Sequence, residues 1–136
     1  MGRDCWATRS PRAVLAAALW AALPAAAAPG DPVAGRKVFA ACVSCHQVGP
    51  SARSSFGPQL NGIVGRRAGG LSDYRYSAAM RGAGFVWTEE RLAAFIRSPA
   101  AVVPGTSMRY WGGGLNERRL ADLLAYLRQP PAPTPR

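Results

Sequence analysis

Cys42-Val43-Ser44-Cys45-His46 is the stretch on which the reading of this chain turns. Two thiols stand three residues apart, and an imidazole follows the second directly. On a helical turn Cys42 shares a face with Cys45 and His46. A Cys-x-x-Cys pair alone also suits a thiol oxidoreductase, but no strand-then-helix pattern precedes this one. Structural zinc would lack a fourth ligand, because His46 is the single histidine of the chain, and adjacent Cys45 and His46 converge poorly on one ion. A disulfide across so tiny a loop would constrain little of the unfolded chain. The order thiol, thiol, imidazole does fit covalent haem attachment. Two thiols reach two vinyl groups of one porphyrin, the imidazole comes up beneath the iron, and the resulting thioethers leave nothing for redox exchange.

Upstream of this stretch, residues 1–12 carry Arg3, Arg9 and Arg12 against Asp4. Residues 13–28 are almost wholly Ala, Leu, Val and Trp, and the small Ala26 and Ala28 suit processing just before Pro29. A basic start, an apolar run and a small-residue exit describe a secretory signal peptide. The alternative is a retained anchor, for which the run offers about 16 apolar residues, interrupted by Pro24, against the roughly 20 needed to span. The expected organisation is a cleavable signal over 1–28, one domain over 29–129, and a flexible proline-rich tail over 130–136. Export of this kind points to the periplasm, and no second apolar segment approaches spanning length. Cys5 leaves with the signal, so Cys42 and Cys45 remain.

A chain of 136 residues is enough for one ordinary domain and not for two. After processing, residues 29–136 keep 14 Lys and Arg against 6 Asp and Glu, about +8 with His46 neutral. This balance favours anionic partners. The cations are spread from Arg36 to Arg136 and form no stripe, which speaks against nucleic acid.

Asp31 and Pro32 read as cap and first residue of a helix over 33–43. Residues 59–70 hold too many glycines for a regular element, and a short helix is expected over 74–81. Thr88 caps a clearer helix whose inner face is Leu92, Phe95 and Ile96, with Trp87 stapled on Leu92 and Pro99 ending it. Residues 100–114, with Pro104, Gly105 and Gly112–Gly114, read as a long connection. Asn116 caps the last helix, over 117–129, where Leu120, Leu123, Leu124 and Leu127 recur at helical spacing. The fold class is therefore all-α: three to four short helices with long loops. Loops that long are awkward in a small helical domain unless a large rigid group fills the middle.

With His46 as one axial ligand, the sixth ligand could be a second His, a Met, a Lys or water; no second histidine exists and Lys37 is too near the attachment turn, so a methionine is the ligand expected. Met80 sits in the short helix and reads as core. Met108 follows Pro104-Gly105-Thr106-Ser107, a stretch that can present a thioether without helix geometry. An iron held by His46 and Met108 has no open position for substrate, which favours electron carriage over catalysis, and thioether ligation raises the potential relative to two histidines.

From about residue 33 to 129 the chain resembles class I cytochrome c of the mitochondrial and bacterial c2 type. The resemblance rests on Gly35-Arg36-Lys37-Val38-Phe39, Cys42–His46, Gly57-Pro58, Gly65-Arg66, Tyr76, Trp87, Pro99, Pro104-Gly105-Thr106-Ser107-Met108 and Asp122-Leu123-Leu124-Ala125-Tyr126-Leu127, in that order. It implies the cytochrome c fold around one haem c, covalent through Cys42 and Cys45, with His46 and Met108 on the metal. It implies that Gly35 and Phe39 meet Leu123 and Tyr126 where the terminal helices cross. It also implies that the Pro58 carbonyl takes the His46 ring N–H, that Arg66, Tyr76 and Trp87 contact the haem propionates, and that Thr106 supports the Met108 side.

Three departures qualify the resemblance. Phe95 stands where the family commonly has Tyr, and Met80 where many members have Asn, so the interior is more apolar. The family's surface lysines are largely missing, with Ala41, Ser55, Ala100, Ala101, Ser107 and Gly114 at those positions. Arg53, Arg97, Arg109 and Arg118 replace some of that charge elsewhere. The function expected is one-electron carriage, without enzymatic activity, between transient redox partners with acidic docking surfaces, such as membrane-bound respiratory or photosynthetic complexes, by a monomer. The rivals are a cytochrome subunit of a periplasmic oxidoreductase or dehydrogenase, and a sensor whose Met108 gives way to a small ligand.

Overall fold

The computed structural model describes residues 29–110 and 115–129. The expectations for a signal over 1–28, for the tail over 130–136 and for Gly112–Gly114 lie outside the described residues. Five α-helices follow in order: α1 Pro32–Phe39, α2 Ala78–Arg81, α3 Glu89–Arg97, α4 Pro99–Val102 and α5 Glu117–Arg128. Two of them are single turns of four residues, so the count exceeds the three to four expected while the class stays all-α. Among the described residues, the one isolated β-bridge pairs Arg67 with Val86.

α1 starts as its sequence dictates. The Asp31 carboxylate accepts from the Val33 amide at 2.8 Å, and Pro32 fills a first-turn position where a missing N–H costs nothing. The helix does not run to residue 43. From Ala40 the amides reach back three residues, Ala41 to Val38 at 3.2 Å and Cys42 to Phe39 at 2.7 Å. β-Branched Val43 and Ser44, whose hydroxyl competes for backbone bonds, are poor continuations of a helix. The His46 amide then closes on the Cys42 carbonyl at 2.8 Å. The Cys-Cys-His segment is therefore a separate wound turn beyond α1.

The expected helix over 74–81 shrinks to α2, because Ser77 caps it by accepting from the Met80 amide at 3.2 Å. Thr88 caps α3 by accepting from the Arg91 amide at 3.1 Å. Leu92, Phe95 and Ile96 are buried on its inner face. Pro99 ends α3 and also begins α4, a turn inside what reads as open connection. Asn116 caps α5 through a 2.9 Å bond from the Arg119 amide.

The core is built where α1 crosses α5. Leu120 and Leu123 are each 2% exposed, a burial that contributes about 1.5–3 kcal/mol per side chain. Phe39 and Tyr126 bring their ring centroids to 5.4 Å. At Gly35 a β-carbon would lie 1.9 Å from the Asp122 carbonyl oxygen and 2.8 Å from Tyr126 Cβ. No residue but glycine permits this crossing. Asp122 itself is buried, accepts from the Asp31 amide at 2.8 Å, and pairs with Arg118 Nε at 3.2 Å. It locks the start of α1 onto the middle of α5.

Candidate haem site

The turn after α1 carries Cys42, Cys45 and His46, with the amides of Cys45 and His46 both donating to the Cys42 carbonyl, at 3.1 and 2.8 Å. Cys42 is half-buried and Cys45 exposed. Burial first, and the neighbouring Cys45 second, push the Cys42 thiol above its ordinary value. A thiol oxidoreductase needs the opposite shift, because the thiolate is its nucleophile.

His46 is oriented from below. Its Nδ1 lies 2.8 Å from the Pro58 carbonyl oxygen. A carbonyl can only accept, so Nδ1 carries the proton and Nε2 keeps its lone pair. Burial is the main cause lowering the His46 pKa; the Pro58 bond opposes it, and the Arg66 charge adds to it. Burial thus favours the neutral ring, and the Pro58 bond favours the tautomer that leaves Nε2 available to a metal. Gly57 makes the orientation possible: a β-carbon there would sit 2.6 Å from His46 Cε1 and 2.8 Å from Nδ1. Its amide also donates to the Cys45 carbonyl at 2.9 Å. In the sequence Gly57 reads only as loop punctuation and as part of the resemblance, so its contact with the ligand ring is a structural finding.

Trp87 and Arg66 are brought together by backbone pairing. The Trp87 amide donates to the Arg66 carbonyl at 2.9 Å, the Gly65 amide to the Trp87 carbonyl at 2.8 Å, and the Ala68 amide to the Phe85 carbonyl at 2.9 Å. The Arg66 guanidinium is half-buried and donates to the carbonyls of Asn61 at 3.1 Å and Gln59 at 2.8 Å, leaving further N–H donors for a carboxylate. Burial lowers its pKa, while Tyr76 and Asp73 act in the opposite sense. Burial likewise raises the Tyr76 hydroxyl, with Arg66 opposing. Trp87 is buried against Phe85 and Phe95, each ring centroid 4.9 Å away.

The two methionines differ in setting. Met80 lies in α2 and is buried in the core. Met108 is half-buried against that core, and its amide donates to the Thr106 hydroxyl at 3.3 Å. Gly105, with φ of 86°, turns the chain ahead of Thr106, a conformation that L side chains rarely adopt.

These residues fit a covalently held haem. His46 offers a neutral nitrogen and Met108 a thioether. Val48, Leu60, Val64, Phe85, Met108 and Tyr110 are packed on the core yet only half-buried, so each keeps apolar surface that a porphyrin could cover. Arg66 and Tyr76 carry hydrogen-bonding groups of the kind that an acidic haem edge would need.

An all-α domain built around a thiol–thiol–imidazole turn defines a class of haem-bearing electron carriers. The family model for cytochrome c matches residues 32–130, and the chain belongs to that family. It is 42% identical to cytochrome c2 of Blastochloris viridis, over 80% of this chain and 85% of that one. It is 45% identical to cytochrome c2 of Rhodomicrobium vannielii, over 82% and 87%. The solved structure of cytochrome c2 from Rhodospirillum centenum superposes with a TM-score of 0.69 at 32% identity, covering 76% of this chain and all of that one. Cytochrome cH from Methylobacterium extorquens superposes at 0.65 with 36% identity, covering 72% and 97%. The protein is an electron carrier of the c2 type with haem c joined to Cys42 and Cys45. It exchanges electrons with redox partners. No helix of the described residues is long and apolar enough to cross a membrane.

Proposed function

We propose that this chain carries single electrons between redox complexes through an iron held by His46 and Met108, and that it works in the periplasm after loss of residues 1–28. The domain then runs over 29–129, with 130–136 as a tail. The observation that carries the reading is the 2.8 Å bond between His46 Nδ1 and the Pro58 carbonyl, which directs Nε2 to a metal. Haem c supplies a one-electron couple when bound. The protein's own contribution is to hold the surroundings still. Pro58 fixes the ring, Thr106 holds the backbone of Met108, and the buried Trp87 packs the interior. Arg66, Tyr76 and Trp87 serve the propionates, whose burial is otherwise costly. With His46 and Met108 both holding the iron, no position would remain for substrate, which supports carriage rather than catalysis. The sign of the partner's charge follows from composition: a basic protein meets acidic faces on membrane-bound respiratory or photosynthetic complexes, as a monomer.

Absorption spectra in both redox states, with and without carbon monoxide or cyanide, test this reading. A low-spin spectrum unchanged by either ligand is expected. Rapid ligand binding would replace carriage by sensing, and constant co-purification with a catalytic subunit would make the chain part of an enzyme. N-terminal sequencing of exported protein should begin within residues 27–30; a start at Met1 would mean a retained anchor.

A further inference from the structure

Phe56 is 86% exposed, yet the loop that carries it is tightly pinned. The Ser55 amide donates to the Gly57 carbonyl at 2.9 Å, and the Gly57 amide to the Cys45 carbonyl at 2.9 Å. The Gln59 amide donates to the Ser54 hydroxyl at 3.1 Å, and the Tyr74 hydroxyl to the Phe56 carbonyl at 2.9 Å. Every one of these bonds holds backbone, and the phenyl is held out into water. An aromatic ring on a fixed backbone loses little freedom on docking, which is what makes such side chains effective anchors.

The position also matters. The loop is bonded to Cys45, one of the two attachment residues, and its Gly57 packs on His46. On the attachment turn and on this loop, Ala41, Val43, Ser44 and Ser55 are exposed and uncharged. Exposed Arg53 lies three residues before Phe56, and exposed Arg75 follows Tyr74, whose hydroxyl holds the loop. Asp73, beside Tyr74, is exposed as well and sets one carboxylate among these arginines. The pattern is an apolar centre with a rim in which arginines outnumber acids.

We propose that Phe56 is the apolar anchor by which a redox partner docks, and that the partner offers an apolar recess rimmed by carboxylates facing Arg53 and Arg75. This rests on the electron-carrier reading and adds to it how the partner is gripped. The experiment is stopped-flow oxidation of the reduced holoprotein by isolated membranes of the source cells, alongside oxidation by ferricyanide. Phe56→Ala should slow the membrane reaction by about ten-fold, and Phe56→Glu by more, since it adds like charge to the contact. Phe56→Leu, which keeps an apolar side chain, should fall between wild type and Phe56→Ala. All three should keep the wild-type spectrum, and the uncharged Phe56→Ala and Phe56→Leu should keep the ferricyanide rate. Equal membrane rates for wild type, Phe56→Ala and Phe56→Glu would overturn the proposal, as would a parallel fall in the ferricyanide rate of Phe56→Ala. Failure of membranes to oxidise even the wild type would instead remove the carrier reading on which it rests.

Discussion

Gly57 and His46 are in such close contact that the imidazole occupies the space of a missing side chain: a β-carbon at Gly57 would lie 2.6 Å from Cε1. The same loop delivers the Pro58 carbonyl to Nδ1. Gly57→Ala must therefore push the ring aside or pull the loop away, and either move breaks the bond that sets the tautomer. A loss of about 1–3 kcal/mol is expected from the overpacking, together with a shift of the ferric spectrum toward high spin. Denaturant melts and absorption spectra of the variant check both effects. An unaltered spectrum would show that the ring has room to spare.

Asp122 should matter far more than its partner Arg118. The carboxylate is buried and accepts from the Asp31 amide as well as from Arg118. Asp122→Ala leaves a helix-start donor without its acceptor, at about 1–3 kcal/mol. Arg118 is 57% exposed on its side chain, so Arg118→Ala should cost no more than about 1 kcal/mol. Asp122→Asn keeps an acceptor and should fall between them. Urea unfolding of the three variants gives the ranking, and equal losses would contradict it.

Electron transfer to the natural partner should weaken only a few-fold from low to physiological salt. Four arginines stand in for the missing surface lysines, and two of them are already engaged. Arg97 meets Glu117 at 2.5 Å, and Arg118 meets Asp122 at 3.2 Å. Ala41, Ser55, Ala100, Ala101 and Ser107 are exposed without charge. Net positive charge still steers encounter, but fewer contacts are left for salt to screen. Bimolecular rates across ionic strength test this. A fall on the order of several hundred-fold would mean that the remaining arginines rebuild a strong electrostatic dock.

Much of the fold was legible because local chemistry decides it. Asp31, Thr88 and Asn116 each cap the helix that their sequence announces, while the crossing of α1 with α5 at Gly35 was expected only from the resemblance to class I cytochrome c. The end of α1 was less legible, because the change from a helix to tight turns at Ala40 is a matter of degree in backbone bonding. α4 left a trace, since Pro99 after Ser98 is a helix start as well as a stop. Asp122 appeared in the sequence only as part of a matching run. Its lock on Asp31 spans 91 positions, and nothing local signals a bond of that range. The site was readable where chemistry is carried by residue type, as at Cys42, Cys45 and His46. It was unreadable where it depends on the absence of a side chain, as at Gly57.

The most direct test of the account is the sulfur–iron charge-transfer band of the ferric protein, compared across wild type, Met108→Ala and Met80→Leu. Met108 lies half-buried behind the turn at Gly105, with its amide on Thr106, whereas Met80 is buried in the core. The band should be present in wild type and in Met80→Leu. It should vanish in Met108→Ala, whose iron should then bind carbon monoxide or cyanide readily. A band that survives Met108→Ala and disappears in Met80→Leu would contradict the ligand assignment and the closed iron on which electron carriage depends.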